Sequence, residues 1–288
     1  MNRRETLLLG SIGLLTGVGI VRTGVLDWLG SSDEGIEITK ELFNKNNYIT
    51  PREKHIGYTN FYELSTNKRA VARLSELLDI EDWTVEVDDK TFDIDQLRGK
   101  PFSQIDEEVH NYRCVEGHSK RVVYNSIPLR ELIERYGDSS KKYVQFQSVD
   151  DETLPGVGRA FGSIEFPYLE YRTMEEAMHP LTKAVFGEYG REDSPATGMP
   201  LKIVSPWMYG YANPKAVVKI TCTDEQPRST WGELSPREYG FDRRVVNPQQ
   251  SHPRWSQANE RFIYEGGTER VRTELFNGYP EVATLYQA

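Results

Sequence analysis

The chain has 288 residues, 35 Lys+Arg against 44 Asp+Glu, a net charge of −9 and 38% hydrophobic residues. An acidic chain with no Lys/Arg block is a poor match for phosphate backbones, which argues against nucleic acid as a partner. Two cysteines exclude a disulfide scaffold, a four-cysteine zinc site and all-cysteine iron–sulfur clusters, while the length is enough to bury a sizeable core without such staples.

In chain order, residues 1–30 come first and have the form of an export signal. Arg3 and Arg4 precede an uncharged stretch from Leu7 to Val21. As a helix this stretch would span about 22 Å, short of the ~30 Å of a bilayer core, and Gly10, Gly13, Gly17 and Gly19 weaken it further. The adjacent arginines followed by Glu5, Thr6 and leucines resemble a twin-arginine signal; an ordinary secretory signal or an uncleaved anchor is the other reading. Residues 31–44 read as a polar lead-in. Residues 45–288 contain no linker and are expected to form one domain.

Within that domain Ala70, Leu74, Leu77 and Leu78 mark one face of a helix starting near Asn67. Trp83, Val85 and Val87 alternate as a strand, and a weaker strand runs from Val109 into Cys114. Ser126 as cap, Pro128 in the first turn and Leu129, Leu132, Ile133 and Tyr136 on one face predict a helix that stops at Gly137. Tyr143–Ser148 reads as a strand, Thr173 and Glu176 as a capping box, and the stretches around Ile203 and Val217–Ile220 as two more strands. Strands and short helices alternate without a repeated βα unit, so the expected class is α+β with mixed sheets and short helices.

Nucleotide-loop, zinc-protease and nucleophile-elbow motifs are all missing, and the five histidines are scattered singly. Cys222 ends an apolar strand and reads as a core or edge residue. Cys114 follows Arg113 and precedes a turn at Glu116–Gly117, a place where a thiol can face a pocket or simply pack. A Cys114–Cys222 disulfide is allowed in an exported protein, but sequence does not show that the two approach.

Several stretches in fixed order carry a resemblance. They are Asn60-Phe61-Tyr62-Glu63, Tyr112-Arg113-Cys114-Val115-Glu116, Glu176 to Thr182, Pro206-Trp207-Met208-Tyr209-Gly210, Glu238-Tyr239-Gly240-Phe241, His252 to Ala258 with Glu260-Arg261-Phe262, and Phe276-Asn277-Gly278-Tyr279. Together they resemble the periplasmic molybdopterin-type protein-methionine-sulfoxide reductase catalytic subunits of the sulfite oxidase superfamily, over nearly the whole chain after the signal.

The resemblance implies a sulfite oxidase-like molybdopterin-binding fold and one molybdenum–molybdopterin per chain, with Cys114 as catalytic residue and metal ligand. A soft thiolate suits a metal in sulfur-rich surroundings, and the metal would deprotonate it. One cysteine then suffices, because the pterin brings the other sulfurs. Asn60, Tyr62, Glu63, Ser148, Thr197, Lys202, Asn213, Pro214 and Lys215 fall where the family contacts the cofactor, the last three in a loop facing the pterin phosphate. Ser148 stands for the family's threonine, Thr197 for asparagine and Lys202 for arginine, which keeps charge but loses the guanidinium fork. His118 replaces a tryptophan expected in the substrate funnel. Trp207, Tyr209 and Trp255 read as core, and His179 and His252, each before a proline, as turn residues.

The implied activity is reduction of methionine sulfoxide in exported proteins by oxygen-atom transfer. No haem or iron–sulfur motif offers an electron store in this chain, and the resemblance implies a membrane haem-containing donor subunit. Related molybdenum chemistry (sulfite oxidation, or reduction of other S- and N-oxides) is the nearest alternative, and a non-enzymatic exported binding module the more distant one.

Overall fold

A computed structural model describes residues 43–157 and 164–287; the expected export signal lies outside them. The chain divides into two compact units, Met1–Asn47 and Tyr48–Ala288. In the first, the described residues contain one 3-10 turn, Lys45–Asn47. Everything below concerns the second. Among the described residues no helix is long and apolar enough to cross a membrane.

Two sheets organise the second unit. The first combines β1 (Thr84–Val87), β2 (Lys90–Asp93), β5 (Tyr143–Ser148), β6 (Leu169–Thr173) and β9 (Val217–Thr223) in the order β2-β1-β9-β5-β6. The second holds β3 (Glu107–Arg113), β4 (His118–Pro128), β7 (Lys183–Glu188), β8 (Lys202–Val204), β10 (Asn259–Tyr264) and β11 (Gly267–Arg272), in the order β11-β10-β4-β7-β8 with β3 paired to β4. Both sheets mix parallel and antiparallel pairs: β1 runs parallel to β9 and β10 parallel to β4, while the hairpins are antiparallel. The helices are short: α1 (Arg52–Ile56), α2 (Val71–Leu74), α3 (Ile94–Arg98), α4 (Leu129–Tyr136), α5 (Met174–Met178), α6 (Thr230–Leu234) and α7 (Pro236–Tyr239). This bears out the α+β expectation.

One core joins the sheets. Val85 and Val87 from β1, Val144 and Phe146 from β5, Ile220 from β9, Ala184 and Phe186 from β7 and Leu129, Leu132 and Ile133 from α4 belong to a single buried cluster. The stripe that predicted α4 is therefore what anchors it. Its start differs from expectation. Ser126 lies inside β4, which pairs with β7 as far as Pro128, and Pro128 itself occupies the cap position without a side-chain cap bond. The strand's ladder holds the backbone extended up to the proline, so no helix can begin earlier. The helix expected near Asn67 likewise starts only at Val71 and tightens into a 3-10 turn at Ser75–Leu77. The Thr173–Glu176 capping box is formed as expected.

β4 is the longest strand and had no legible pattern. His118, Ser119, Lys120, Asn125 and Ser126 are buried polar residues within it, so the alternation that marks a half-buried strand is missing. β7 is buried along its whole length, and β10–β11 is a charged hairpin whose register runs from Asn259↔Arg272 to Tyr264↔Gly267. Cys114 and Cys222 are both free thiols.

Candidate active site

The β3–β4 hairpin delivers Cys114. Arg113 pairs with Ser119 across the strands, the Cys114 N–H donates to the His118 carbonyl at 2.9 Å, and the Gly117 N–H donates back to the Cys114 carbonyl at 2.9 Å. Closing this four-residue loop takes φ of 102° at Gly117, a conformation that glycine adopts without a Cβ clash. Arg113 anchors the tip from beneath. It is fully buried, donates to the Cys114 carbonyl, to Gln257 Oε1 at 3.2 Å and to the Asn259 carbonyl at 3.3 Å, and its Nε lies 3.2 Å from Glu260 Oε2. That last contact is an ion pair by distance, at an angle poor for a hydrogen bond.

The Cys114 sulfur faces a cavity. Asn60, Tyr62, Glu63, Asn213, Pro214 and Lys215 share its walls, so a segment before β1, the hairpin tip and the loop before β9 converge on one space. The Asn60 amide donates to Cys114 Sγ at 3.6 Å. Burial, then the nearby Glu116, push the free thiol up to about 11, so the bare sulfur is protonated and a metal must displace the proton. Glu63, buried on the wall of the same cavity, is pushed up to about 7 by burial. Lys215 Nζ donates to Thr59 Oγ1 at 3.1 Å and to the Asn60 carbonyl. The Asn213 amide oxygen accepts from Arg172 at 2.9 Å and from the Ser205 N–H at 2.9 Å, which sets the loop rather than reaching into the cavity.

The Tyr62–Glu63 backbone is pinned by Gly156, whose N–H donates to the Glu63 carbonyl at 2.8 Å. A Cβ at Gly156 would run into the Tyr62 carbonyl oxygen. Gly156→Ala should therefore cost roughly 1–3 kcal/mol of stability and lower cofactor content, read by thermal melting and metal analysis. An unchanged melting curve would show that the contact has no such cost.

Ser148, Thr197 and Lys202 lie outside this lining. Ser148 ends β5, fully buried and close enough to Glu63 to draw its pKa back slightly, at a geometry short of a hydrogen bond. Thr197 and Lys202 converge on Glu188. Thr197 Oγ1 donates to Glu188 Oε2 at 2.6 Å, Lys202 Nζ to Oε1 at 2.5 Å, and His55 Nε2 lies 3.1 Å from Oε2. Burial works against the charged carboxylate, yet Lys202 and His55 hold Glu188 well below the usual range.

His118 is not part of the funnel wall. It is 1% exposed, packed between Tyr58 and Tyr112 with ring centroids 5.1 and 5.9 Å away, and its Nε2 has no hydrogen-bond partner. Burial, then Lys120, hold it well below its ordinary value and therefore neutral. Its potential ligand atom lies within 4.8 Å of those of Cys114 and Glu116, so the smaller ring sits behind the thiol, where β4 puts it. Trp255 also differs from expectation: Trp207 and Tyr209 are core, but Trp255 is half-buried and lines the cavity.

The outer wall is aromatic. Tyr62 and Trp231 meet edge to face at 5.4 Å, Trp231 and Tyr239 lie 4.9 Å apart, and Arg254 stacks over Trp255 at 4.1 Å. Tyr168, Tyr211 and Trp231 carried no signal in the sequence. Ser229, whose hydroxyl accepts the Gly232 N–H at the start of α6, could have marked the short helix that presents Trp231.

The residues present suit a molybdopterin: a buried thiol of the right softness, a neutral amide beside it, and the Lys215 ammonium on the same cavity. The matching domain family and a sequence relative agree. Residues 72–231 match the oxidoreductase molybdopterin binding domain family. The chain is 36% identical over 293 aligned residues, covering 99% of this chain and 94% of the relative, to the protein-methionine-sulfoxide reductase catalytic subunit MsrP of Campylobacter jejuni. Among solved structures, the sulfane dehydrogenase SoxCD of Paracoccus pantotrophus aligns at a TM-score of 0.41 and 15% identity, over 51% of this chain and 40% of that one. The chain thus belongs to the molybdopterin-binding oxidoreductases, in the family that includes the protein-methionine-sulfoxide reductase catalytic subunits, and its cofactor is molybdenum–molybdopterin.

Proposed function

We propose that this oxidoreductase reduces methionine sulfoxide in exported proteins. The observation that carries the reading is the position of Cys114: a buried thiol on a cavity whose outer wall is Tyr62, Trp231, Tyr239 and Trp255. Sulfur-containing side chains pack well against aromatic rings, and such a wall suits a methionine side chain offered by another protein. The bound metal would supply the acceptor for the sulfoxide oxygen, in a reaction that consumes two electrons and two protons and yields thioether and water. The chain's own contribution is position and exclusion of water. Cys114 would hold the metal; Asn60, Tyr62, Glu63, Asn213, Pro214 and Lys215, on the cavity wall, would hold the pterin, and Ser148, Thr197 and Lys202, outside that lining, are assigned to it by the resemblance alone.

A sulfite oxidase is disfavoured by the charges at the mouth. Among the described residues, Arg254 on the cavity wall is paired with Glu238 at 2.6 Å, and Lys68 is paired with Glu116 of that wall at 2.6 Å, so neither cation is free for an anionic substrate, whereas a sulfoxide is neutral. Residues 1–30 then act as a twin-arginine signal carrying the loaded enzyme to the periplasm, residues 31–44 as lead-in and residues 45–288 as one catalytic domain. A membrane haem-containing subunit supplies the electrons.

The test is metal and pterin analysis of the exported protein followed by a substrate panel. About one molybdenum per chain is expected, with turnover of free and protein-bound methionine sulfoxide and none of sulfite. Faster sulfite oxidation would overturn the reading in favour of the related chemistry. Absence of both metal and pterin would favour a binding module.

A further inference from the structure

We infer that Lys120, outside the residues assigned above, is a further cofactor-binding residue that supplies a buried cation to the phosphate of the pterin; the inference rests on the molybdopterin reading. Lys120 is 2% exposed on β4, opposite Tyr112 across the hairpin that carries Cys114 at its tip. Its Nζ donates to the Tyr58 carbonyl at 2.6 Å and the His55 carbonyl at 2.9 Å, and lies 3.4 Å from His55 Nδ1. Lys215 Nζ reaches the same short segment from the other side, through Thr59 Oγ1 and the Asn60 carbonyl. Two ammonium groups thus grip Tyr58–Asn60, and among the described residues neither has a carboxylate within ion-pair distance.

A third ammonium, Lys202, lies near both and is matched by Glu188 at 2.5 Å. Glu188 and Glu63 attract the other two only across a gap. Around Tyr58–Asn60 the described groups therefore carry more positive than negative charge, and a buried charge without a partner is costly. Burial and mutual repulsion show the strain: burial and then Lys215 push Lys120 down to about 7, and burial and then Lys202 push Lys215 to about 7. His55 provides no compensation, because burial pushes it down to about 4 and leaves it neutral. A dianionic phosphate monoester would balance two ammonium groups and restore their charge. Lys202, already bound to Glu188, is the weaker contributor.

The experiment compares full-length wild type, Lys120→Gln and Lys120→Arg. Loaded proteins are diluted and the pterin and molybdenum remaining per chain are followed with time; cofactor-free proteins are melted in phosphate and in chloride at equal ionic strength. Lys120→Gln is expected to lose pterin at least about tenfold faster than wild type, while Lys120→Arg stays within about threefold. Phosphate should raise the melting temperature of wild type above its value in chloride, and this increment should vanish in Lys120→Gln. Equal pterin retention in wild type and Lys120→Gln overturns the role of Lys120 and leaves the molybdopterin reading intact. Wild type without pterin overturns that reading and the cofactor assignment of Lys120 with it. If Lys120→Gln does not fold, the wild-type chain still decides: no phosphate-specific stabilisation means that no such anion site exists.

Discussion

Cys114→Ser should leave a folded protein with almost no molybdenum and no sulfoxide reduction. Serine is nearly the same size, but its oxygen is a harder donor with a far higher pKa, and a metal held mainly by sulfur does not accept it in exchange. Outer-shell changes in metal sites cost about 10–100-fold, so loss of the protein's ligand should exceed about 100-fold in turnover. The fold should survive. Cys114 packs at a hairpin tip held by Arg113 and by the turn's own hydrogen bonds, and a buried hydroxyl beside the Asn60 amide costs about 1–3 kcal/mol at most. Metal analysis, turnover and a thermal melt check the three statements separately. A serine variant with full metal content and near-normal turnover would end the assignment of Cys114.

Arg113→Met should have the largest effect on stability, although Arg113 is not a cofactor residue. The substitution removes the guanidinium that lies 3.2 Å from the buried Glu260 and with it the donors to Gln257, Asn259 and Cys114. Breaking a buried pair from one side costs roughly 3–5 kcal/mol, or about 10 °C of melting temperature for a domain of this size. Because the same guanidinium braces the hairpin tip, metal content should fall as well. The double variant Arg113→Met with Glu260→Leu should recover part of the melting temperature, since the buried pair is then replaced from both sides by apolar groups. Metal content should recover less, because the brace on the Cys114 carbonyl is still gone. A single variant as stable as wild type would show that the pair contributes nothing.

Parts of the fold were legible because local chemistry and tertiary environment agree there. The stripe Leu129, Leu132, Ile133 faces one core, so α4 was visible; the capping box at Thr173 satisfies its own helix end, so it was visible without any tertiary knowledge. β4, β7 and the β10–β11 hairpin were not. In β4 the buried Val122, Tyr124 and Ile127 stand among equally buried polar residues, and a strand that also buries His118, Lys120 and Asn125 does not look buried in sequence. The interior of this protein is in part ionic, and hydrophobic periodicity says nothing about an ionic interior.

The ordered blocks from Asn60 to Tyr279, with the thiol at 114 among them, determined the family, the class of cofactor and the α+β character, since those depend on residue identity and order. Only the tertiary structure decided which groups meet. It placed His118 behind the sulfur and Trp255 on the cavity wall, tied Thr197 and Lys202 to Glu188, and brought Lys120 and Lys215 to the same three residues. The physical reason is burial: a charged side chain in sequence looks solvated wherever it stands, and its need for a partner arises only once the chain has closed around it.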